Sequence, residues 1–249
     1  MPDKLVINGL VLRATETKEA DYILTVLTAE QGRLSVIARG ARRRSSRLTA
    51  ACQHLAFSEL VLYRRGSWYY LDEASTLTLF GGLRADLEKL SLASYFAEMT
   101  EAVTTEDLPA GEVLSLLLNA LYALDALDRP NELVRAVFEL RLLALSGYEP
   151  LLDDCAVCGR TDPAEPLFDA AQGVVLCGKC AGPSGGIPLD AAALAAMRHI
   201  IAAPPKRLLS FTLEQPSLAR LSAACETFAA VQLDRRFKTL DFYKSIRLT

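Results

Sequence analysis

LVINGLVLRA (residues 5–14) opens a set of five runs whose reading decides the fold. DYILTVLTAE (21–30), RLSVIAR (33–39), HLAFSELVLYRR (54–65) and WYYLDEASTL (68–77) complete the set. Each run is short, rich in β-branched and aromatic residues, and bounded by turn signals, so each reads as a strand. Glu30-Gln31-Gly32-Arg33 and Arg64-Arg65-Gly66-Ser67 predict hairpin turns, with Gly32 free to take positive φ. Gly9, inside the first run, predicts a bulge or sharp bend of the kind a small closed barrel needs. Five strands, with an irregular insert between the third and fourth, predict an OB-type barrel; an SH3-like barrel meets the same pattern.

Beyond residue 80 the period changes. Leu87, Leu90, Ala93 or Ser94, and Ala97 fall on helical spacing, as do Leu114, Leu117, Leu118 and Leu121, then Leu133, Val137, Leu140 and Ala144. Asn131, after Pro130, is the expected N-cap of the third of these helices, and Gly147 its expected stop. Residues 151–188 lose helical character and are loaded with Gly, Pro and Cys. Helices return at 190–203, 217–233 and 237–246, with Pro204-Pro205 ending the first and Pro216-Ser217 opening the second. The expectation is an α+β chain: an OB-fold domain at 1–80, then an α-helical domain at 81–249 with a metal-binding insert at 151–188.

The 249 residues carry a formal charge of −3, which looks unpromising for a polyanion binder, but the average hides a segregation. Residues 1–80 hold eleven Lys and Arg against eight Asp and Glu; residues 81–150 hold five against twelve; the remainder holds eleven against ten. A chain divided in this way can hold a polyanion at one end and something else at the other. Hydrophobic residues make up 51% and charged residues 23%, a composition that excludes disorder as the main state. The first residues lack the pattern of a signal peptide, and no apolar run is long enough to span a bilayer, so a cytoplasmic, nucleoid-associated location is expected.

Between Glu30 and Glu59 there is no acidic residue, and within that window lie Arg33, Arg39, Arg42, Arg43, Arg44 and Arg47. Guanidiniums without counter-charge repel one another, so such a loop gains from an anionic partner. Arginine forks suit phosphate oxygens, and Ser45 and Ser46 add hydroxyl donors. Arg64 and Arg65 extend the positive charge toward Tyr63, Trp68, Tyr69 and Tyr70, and cationic grooves beside aromatic faces hold single strands without reading sequence. A solvated loop and barrel-core aromatics are the plainer reading of the same residues. Arg235, Arg236, Lys238, Lys244 and Arg247 form a second cluster, read as a polar helix face or a secondary nucleic-acid contact.

Cys155-x2-Cys158-x18-Cys177-x2-Cys180 is the strongest local signal. Each Cys-x-x-Cys turn aims two sulfurs at one point, and two such turns complete a tetrahedron suited to one structural Zn2+. Four thiolates close the coordination shell, so the metal is expected to staple the segment and not to catalyse. Cys52 and Cys225 have no partner by spacing and read as small buried hydrophobes. Gly173 to Lys179 mimics the start of a phosphate-binding loop, but Cys180 stands where a Ser or Thr hydroxyl belongs. Asp153-Asp154 reads as a cap or turn. No dinucleotide fingerprint, serine-hydrolase elbow or metalloprotease motif occurs, so no catalytic residue is assigned.

Lys18-Glu19-Ala-Asp21-Tyr-Ile-Leu-Thr-Val-Leu-Thr28, Gly32-Arg33, and Arg39-Gly40-Ala41-Arg42-Arg43 through Ser46-Arg47 resemble the N-terminal signature of the RecO family of bacterial DNA repair proteins. Phe138 to Leu143, followed by Gly147-Tyr148-Glu-Pro150-x4-Cys155-x2-Cys158-Gly159, extends the resemblance, which runs from Leu5 to about Arg247. It implies an OB-fold, a helical body and a zinc-finger-like module. It also implies binding of single- and double-stranded DNA, annealing of complementary strands, and loading of RecA, with RecR, onto strands coated by single-strand-binding protein. Direct match assigns Arg39, Arg42, Arg43, Ser46 and Arg47 to DNA and the four cysteines to zinc. The apolar, acidic tail of single-strand-binding protein is expected on a cationic rim within 198–247. An RNA-binding or other nucleic-acid adaptor built on the same barrel and ribbon is the alternative.

Overall fold

A computed structural model describes residues 4–182 and 185–247. Its first strands are β1 (Lys4–Thr17), β2 (Asp21–Thr28), β3 (Arg33–Ala38), β4 (Phe57–Arg65) and β5 (Trp68–Thr78). They close in the order β1-β2-β3-β5-β4, with β1 antiparallel to β4 and β3 parallel to β5. That pairing is the OB arrangement and removes the SH3-like alternative. Alternate residues such as Val26, Val36, Leu60 and Leu62 fill the interior, while neighbours such as Thr25, Ser35, Glu59 and Tyr63 face away. The insert at 39–56 is a series of turns, and it sends Ala41 and Cys52 into the barrel core.

The two hairpin turns form as expected. Gly32 has φ +63° and Gly66 φ +65°, and Arg65 pairs with Trp68 across a two-residue loop that starts with glycine, as a type II′ turn requires. The bulge is not at Gly9. It falls between Val11 and Arg13, so that Leu10, Val11 and Leu12 are all buried in succession. Gly9 stays in register, and a Cβ there would lie 2.4 Å from Val26 Cγ1; it is glycine because the barrel interior has no room for a side chain.

Helices α1 (Gly81–Arg84), α2 (Leu87–Val103) and α3 (Gly111–Ala126) follow, and α2 packs on β1. The Asp86 carboxylate caps α2 by accepting from Lys89 N at 3.1 Å. Residues 1–127 and 237–249, which include α7 (Lys238–Arg247), form one compact unit.

Residues 128–236 form the other unit. Here α4 (Asn131–Leu145), α5 (Ala191–Ala202) and α6 (Gln215–Gln232) pack around β6 (Leu151–Cys155), β7 (Leu167–Asp169), β8 (Val174–Leu176) and β9 (Ile187–Pro188), which pair in the order β6-β8-β7-β9. Asn131 is the first helical residue of α4; the cap position belongs to Pro130, whose fixed φ of −55° already suits helix entry. Gly147 ends α4 with φ +91°, and Tyr148 N reaches back to Leu143 O at 2.9 Å. Asp153 and Asp154 lie within β6, not in a cap or turn. The phosphate-loop mimic runs through β8 and a cysteine turn with no helix behind it. Among the described residues, no helix is long and apolar enough to cross a membrane.

Candidate nucleic-acid interface and metal centre

The acid-free loop leaves β3 at Arg39 and turns at Gly40, whose φ of +64° reverses the chain. Gly40 N donates to Asp21 Oδ1 at 2.7 Å, and Arg42 N to Ala20 O at 3.0 Å, so the loop is anchored on the β1–β2 turn. Ser46 is spent locally: its hydroxyl accepts from Leu48 N at 3.3 Å. Arg43, Arg44 and Arg47 stand on the surface. Arg42 does not stand free with them, since its guanidinium lies 2.6 Å from the Glu16 carboxylate.

Two flanking arginines are also committed. Arg33 donates to Glu101 O at 2.6 Å, which ties β3 to the end of α2. Arg64 donates from Nε to Gly66 O at 3.1 Å and so braces the β4–β5 turn. Arg65 is exposed. Of the nine predicted positions the structure thus gathers Arg39, Arg43, Arg44 and Arg47 on one loop, and gives Arg33, Arg42, Arg64 and Ser46 internal partners.

Register decides which rings face outward, a question the sequence left open. Tyr63 pairs with Tyr70 across β4 and β5, and their rings stack at 5.4 Å and 16°. Arg39 lies over the Tyr70 ring at 4.7 Å, within cation–π range. Tyr69 instead leans on the barrel core. Trp68 is 41% exposed. Strand alternation produces this split: two residues apart on β5, Trp68 and Tyr70 share a face that Tyr69 does not.

The four cysteines predicted to bind metal come together. Their sulfurs all lie within 4.8 Å of one another, with Cys158 and Cys177 at 3.9 Å. Gly159, at φ +68°, lets its N–H turn back to Cys155 O at 2.8 Å, and Cys180 N meets Cys177 O at 2.9 Å. Amides of Cys158 and Val157 aimed at the Cys155 sulfur hold that thiol down to about 6. The Cys180 side chain, hydrogen-bonded to Cys177, holds Cys177 below its ordinary range; Cys180 itself, beside sulfurs that ionise first, is pushed up. Four sulfurs this close could hold a metal ion. The ribbon is also packed: Phe168 meets Phe228 edge-on at 5.2 Å, and Arg198 donates to the carbonyls of Leu152, Asp153 and Thr161 at 2.8–3.0 Å.

Cys52 and Cys225 are buried, and burial pushes both thiols up, Cys52 to about 12. They are inert packing residues. Sequence reasoning missed the Arg135 network. Arg135 donates to Glu139 at 3.0 Å and to Glu226 at 2.8 Å, with Glu139 fully buried between α4 and α6. An Arg and a Glu one helical turn apart on an apolar helix were the available signal.

A closed OB-type barrel with a cationic loop, and a separate helical unit bearing a four-cysteine ribbon, define a class of protein built for nucleic-acid work. Known proteins sharpen that class. Residues 1–80 match the family description Recombination protein O N terminal, and residues 84–241 match Recombination protein O C terminal. The chain is 33% identical over 241 residues to DNA repair protein RecO of Acetivibrio thermocellus, covering 96% of each chain. It is 36% identical over 248 residues to that of Anaeromyxobacter dehalogenans, covering 98% of this chain and 97% of the relative. The chain belongs to the RecO family of DNA repair proteins.

Proposed function

We propose that this chain is a recombination mediator with no catalytic chemistry of its own. In this reading residues 1–80 are the DNA-binding domain: the loop at Arg39–Arg47 neutralises phosphates on two strands at once, and complementary bases pair because their backbones no longer repel. The observation that carries it is one loop on which Arg39, Arg43, Arg44 and Arg47 are all exposed, with Arg39 over the Tyr70 ring and Tyr70 stacked on Tyr63. Phosphate attraction then supplies affinity, and ring stacking supplies tolerance of any base. Arg33, Arg42, Arg64 and Ser46 act in this scheme by positioning that surface; Arg65 adds charge at its edge.

Residues 81–249 serve partners. RecR, the tail of single-strand-binding protein, and RecA acting downstream are the partners this reading assigns. Zinc is the metal assigned to Cys155, Cys158, Cys177 and Cys180. A tetrahedron of about 2.3 Å Zn–S bonds has edges of about 3.8 Å, and the Cys158–Cys177 separation is 3.9 Å. A closed shell of four thiolates leaves no place for substrate, so the ion holds the ribbon turns and nothing more.

The test is strand annealing at two salt concentrations, with complementary strands bare and coated by single-strand-binding protein. The expected result is acceleration in both cases, weaker at high salt, with RecR required for RecA loading on coated strands. No acceleration of bare strands at low salt overturns the reading.

A further inference from the structure

The α2–α3 connection lays two carboxylates against a barrel otherwise suited to phosphate. Gly32 makes this possible. At φ +63° it leaves its Cα so close to the connection that a Cβ would lie 2.3 Å from Leu108 O and 2.5 Å from Thr105 O. Around it, Arg33 N donates to Thr105 O at 3.0 Å, Asp107 N to Gln31 O at 3.2 Å, and Ala110 N to Ala29 O at 2.8 Å. Asp107 itself is held at φ +60°. The result is a cleft of about 280 Å³ between this connection and the β4–β5 hairpin, lined by Trp68, Tyr69, Arg64, Ser35, Glu106 and Asp107. The Ser35 hydroxyl donates to Glu106 Oε1 at 3.3 Å, which orients that carboxylate.

Two carboxylates repel a phosphate, so the cleft does not serve the backbone of a strand. It suits a flat ring with N–H donors on one edge. Trp68 offers a stacking face, and Arg64, with one of its five donors on Gly66 O, keeps others for an acceptor such as a ring carbonyl. Guanine alone among the bases presents two adjacent N–H groups, N1–H and the 2-amino group, as a fork that one carboxylate accepts with both oxygens. Adenine and cytosine offer an amino group beside an acceptor nitrogen, and thymine one N–H between two carbonyls. A cleft of about 280 Å³ has room for one base.

We infer that this cleft receives an unpaired guanine of a single strand, stacked on Trp68 with its pairing edge on Glu106 and Asp107. The inference rests on the DNA-binding reading above. A base held by its pairing edge cannot be paired, so the cleft distinguishes single strands from duplex.

Trp68 is the sole tryptophan of the chain, and its emission reports on the cleft directly. The full chain is titrated with an oligothymidylate strand and with versions carrying one central guanine, adenine or cytosine, and separately with deoxyguanosine. The guanine strand is expected to quench Trp68 most and to bind about tenfold tighter than plain oligothymidylate, as one bidentate contact provides. Glu106→Gln with Asp107→Asn should bring the strands to within about twofold and leave oligothymidylate no weaker. Both replacements keep shape; Asn tolerates the left-handed backbone of position 107, and Gln keeps an acceptor for Ser35. Equal quenching and affinity for all four bases, or a guanine preference that survives the double variant, overturns the inference and leaves the DNA-binding reading standing. If no strand binds while deoxyguanosine still quenches Trp68, the reading fails and the cleft stands.

Discussion

Reversing Arg43, Arg44 and Arg47 to glutamate together separates phosphate attraction from every other contribution to strand binding. Arg42 is left alone because it faces Glu16 at 2.6 Å, and a reversal there would set two carboxylates against each other on the barrel itself. After the internally committed side chains are set aside, Arg39, Arg43, Arg44, Arg47 and Arg65 remain as exposed guanidiniums. If each neutralises one phosphate, log K for a single strand falls against log salt with a slope of about −3.5, so affinity drops about a hundredfold between 50 and 200 mM. With three of the five reversed, the slope shrinks to about −1.4 and the same salt step costs only about sevenfold. The assay is fluorescence anisotropy of a labelled oligothymidylate across that salt range, with circular dichroism to show the barrel intact. A triple variant that folds and keeps the parent slope refutes the reasoning, because the cations that set the salt dependence would then lie elsewhere.

Other consequences are equally direct. Replacing Cys158 by Ser, or removing the metal with a chelator, should raise hydrogen exchange at 155–161 and 177–182 far more than in β7 and β8, since Phe168 stays packed on Phe228; single-strand affinity should not change, and metal analysis should give about one zinc per intact chain. Arg135→Met should destabilise residues 128–236 by about 3–5 kcal/mol, because it removes one member of a buried Arg135–Glu139 ion pair, and adding Glu139→Gln should recover part of that in urea unfolding. Burial holds His54 below its ordinary pKa, so the unfolded chain binds this proton first as the pH falls. Stability of the barrel unit should therefore decline as the pH drops below about 6.5, and a melting series on His54→Gln should show a shallower decline.

Much of the barrel was legible because its cues are local. The hairpin glycines, the β-branched runs and the acid-free loop each announce themselves within a few residues. The bulge was misplaced for a reason also visible in those residues. Gly9 satisfies two different needs, backbone freedom and absence of bulk, and a sequence does not say which one applies; the answer depends on Val26, seventeen positions away. Asn131 lost the cap position to Pro130 because a fixed φ already supplies helix entry. The cysteine cluster could be read outright, since two Cys-x-x-Cys turns permit few other geometries. The charge partners could not. Nothing within reach of Arg42 in sequence distinguishes it from Arg43, yet β1 ends with Glu16 beside one and not the other. The carboxylate wall of the cleft was hidden for the same reason: Glu106 and Asp107 belong to an acidic helical stretch by position and to the barrel mouth only by folding.

Strand β5 connects the proposed strand-binding loop and the proposed base cleft, and it constrains what can lie across them. Tyr70 belongs to the stack under Arg39, and Trp68 lines the cleft. Two residues along a strand span about 6.6 Å, roughly twice the 3.4 Å that separates successive bases in duplex DNA. A strand that runs from the Arg39–Tyr70 stack to the cleft must therefore have its neighbouring bases drawn apart, which a single strand allows and a stacked duplex resists. The barrel on this reading favours strands before pairing and loses its hold on bases as they pair, while the arginine loop keeps its hold on phosphates throughout. Annealing then proceeds toward a product that the rings release but the guanidiniums retain. Removing the ring contacts should slow capture of single strands without altering duplex affinity: Trp68→Ala with Tyr70→Ala, measured by stopped-flow against both substrates, should lower the single-strand association or raise its dissociation by about tenfold and leave the duplex constants within about twofold. An equal loss on both substrates would show that the rings merely support the loop.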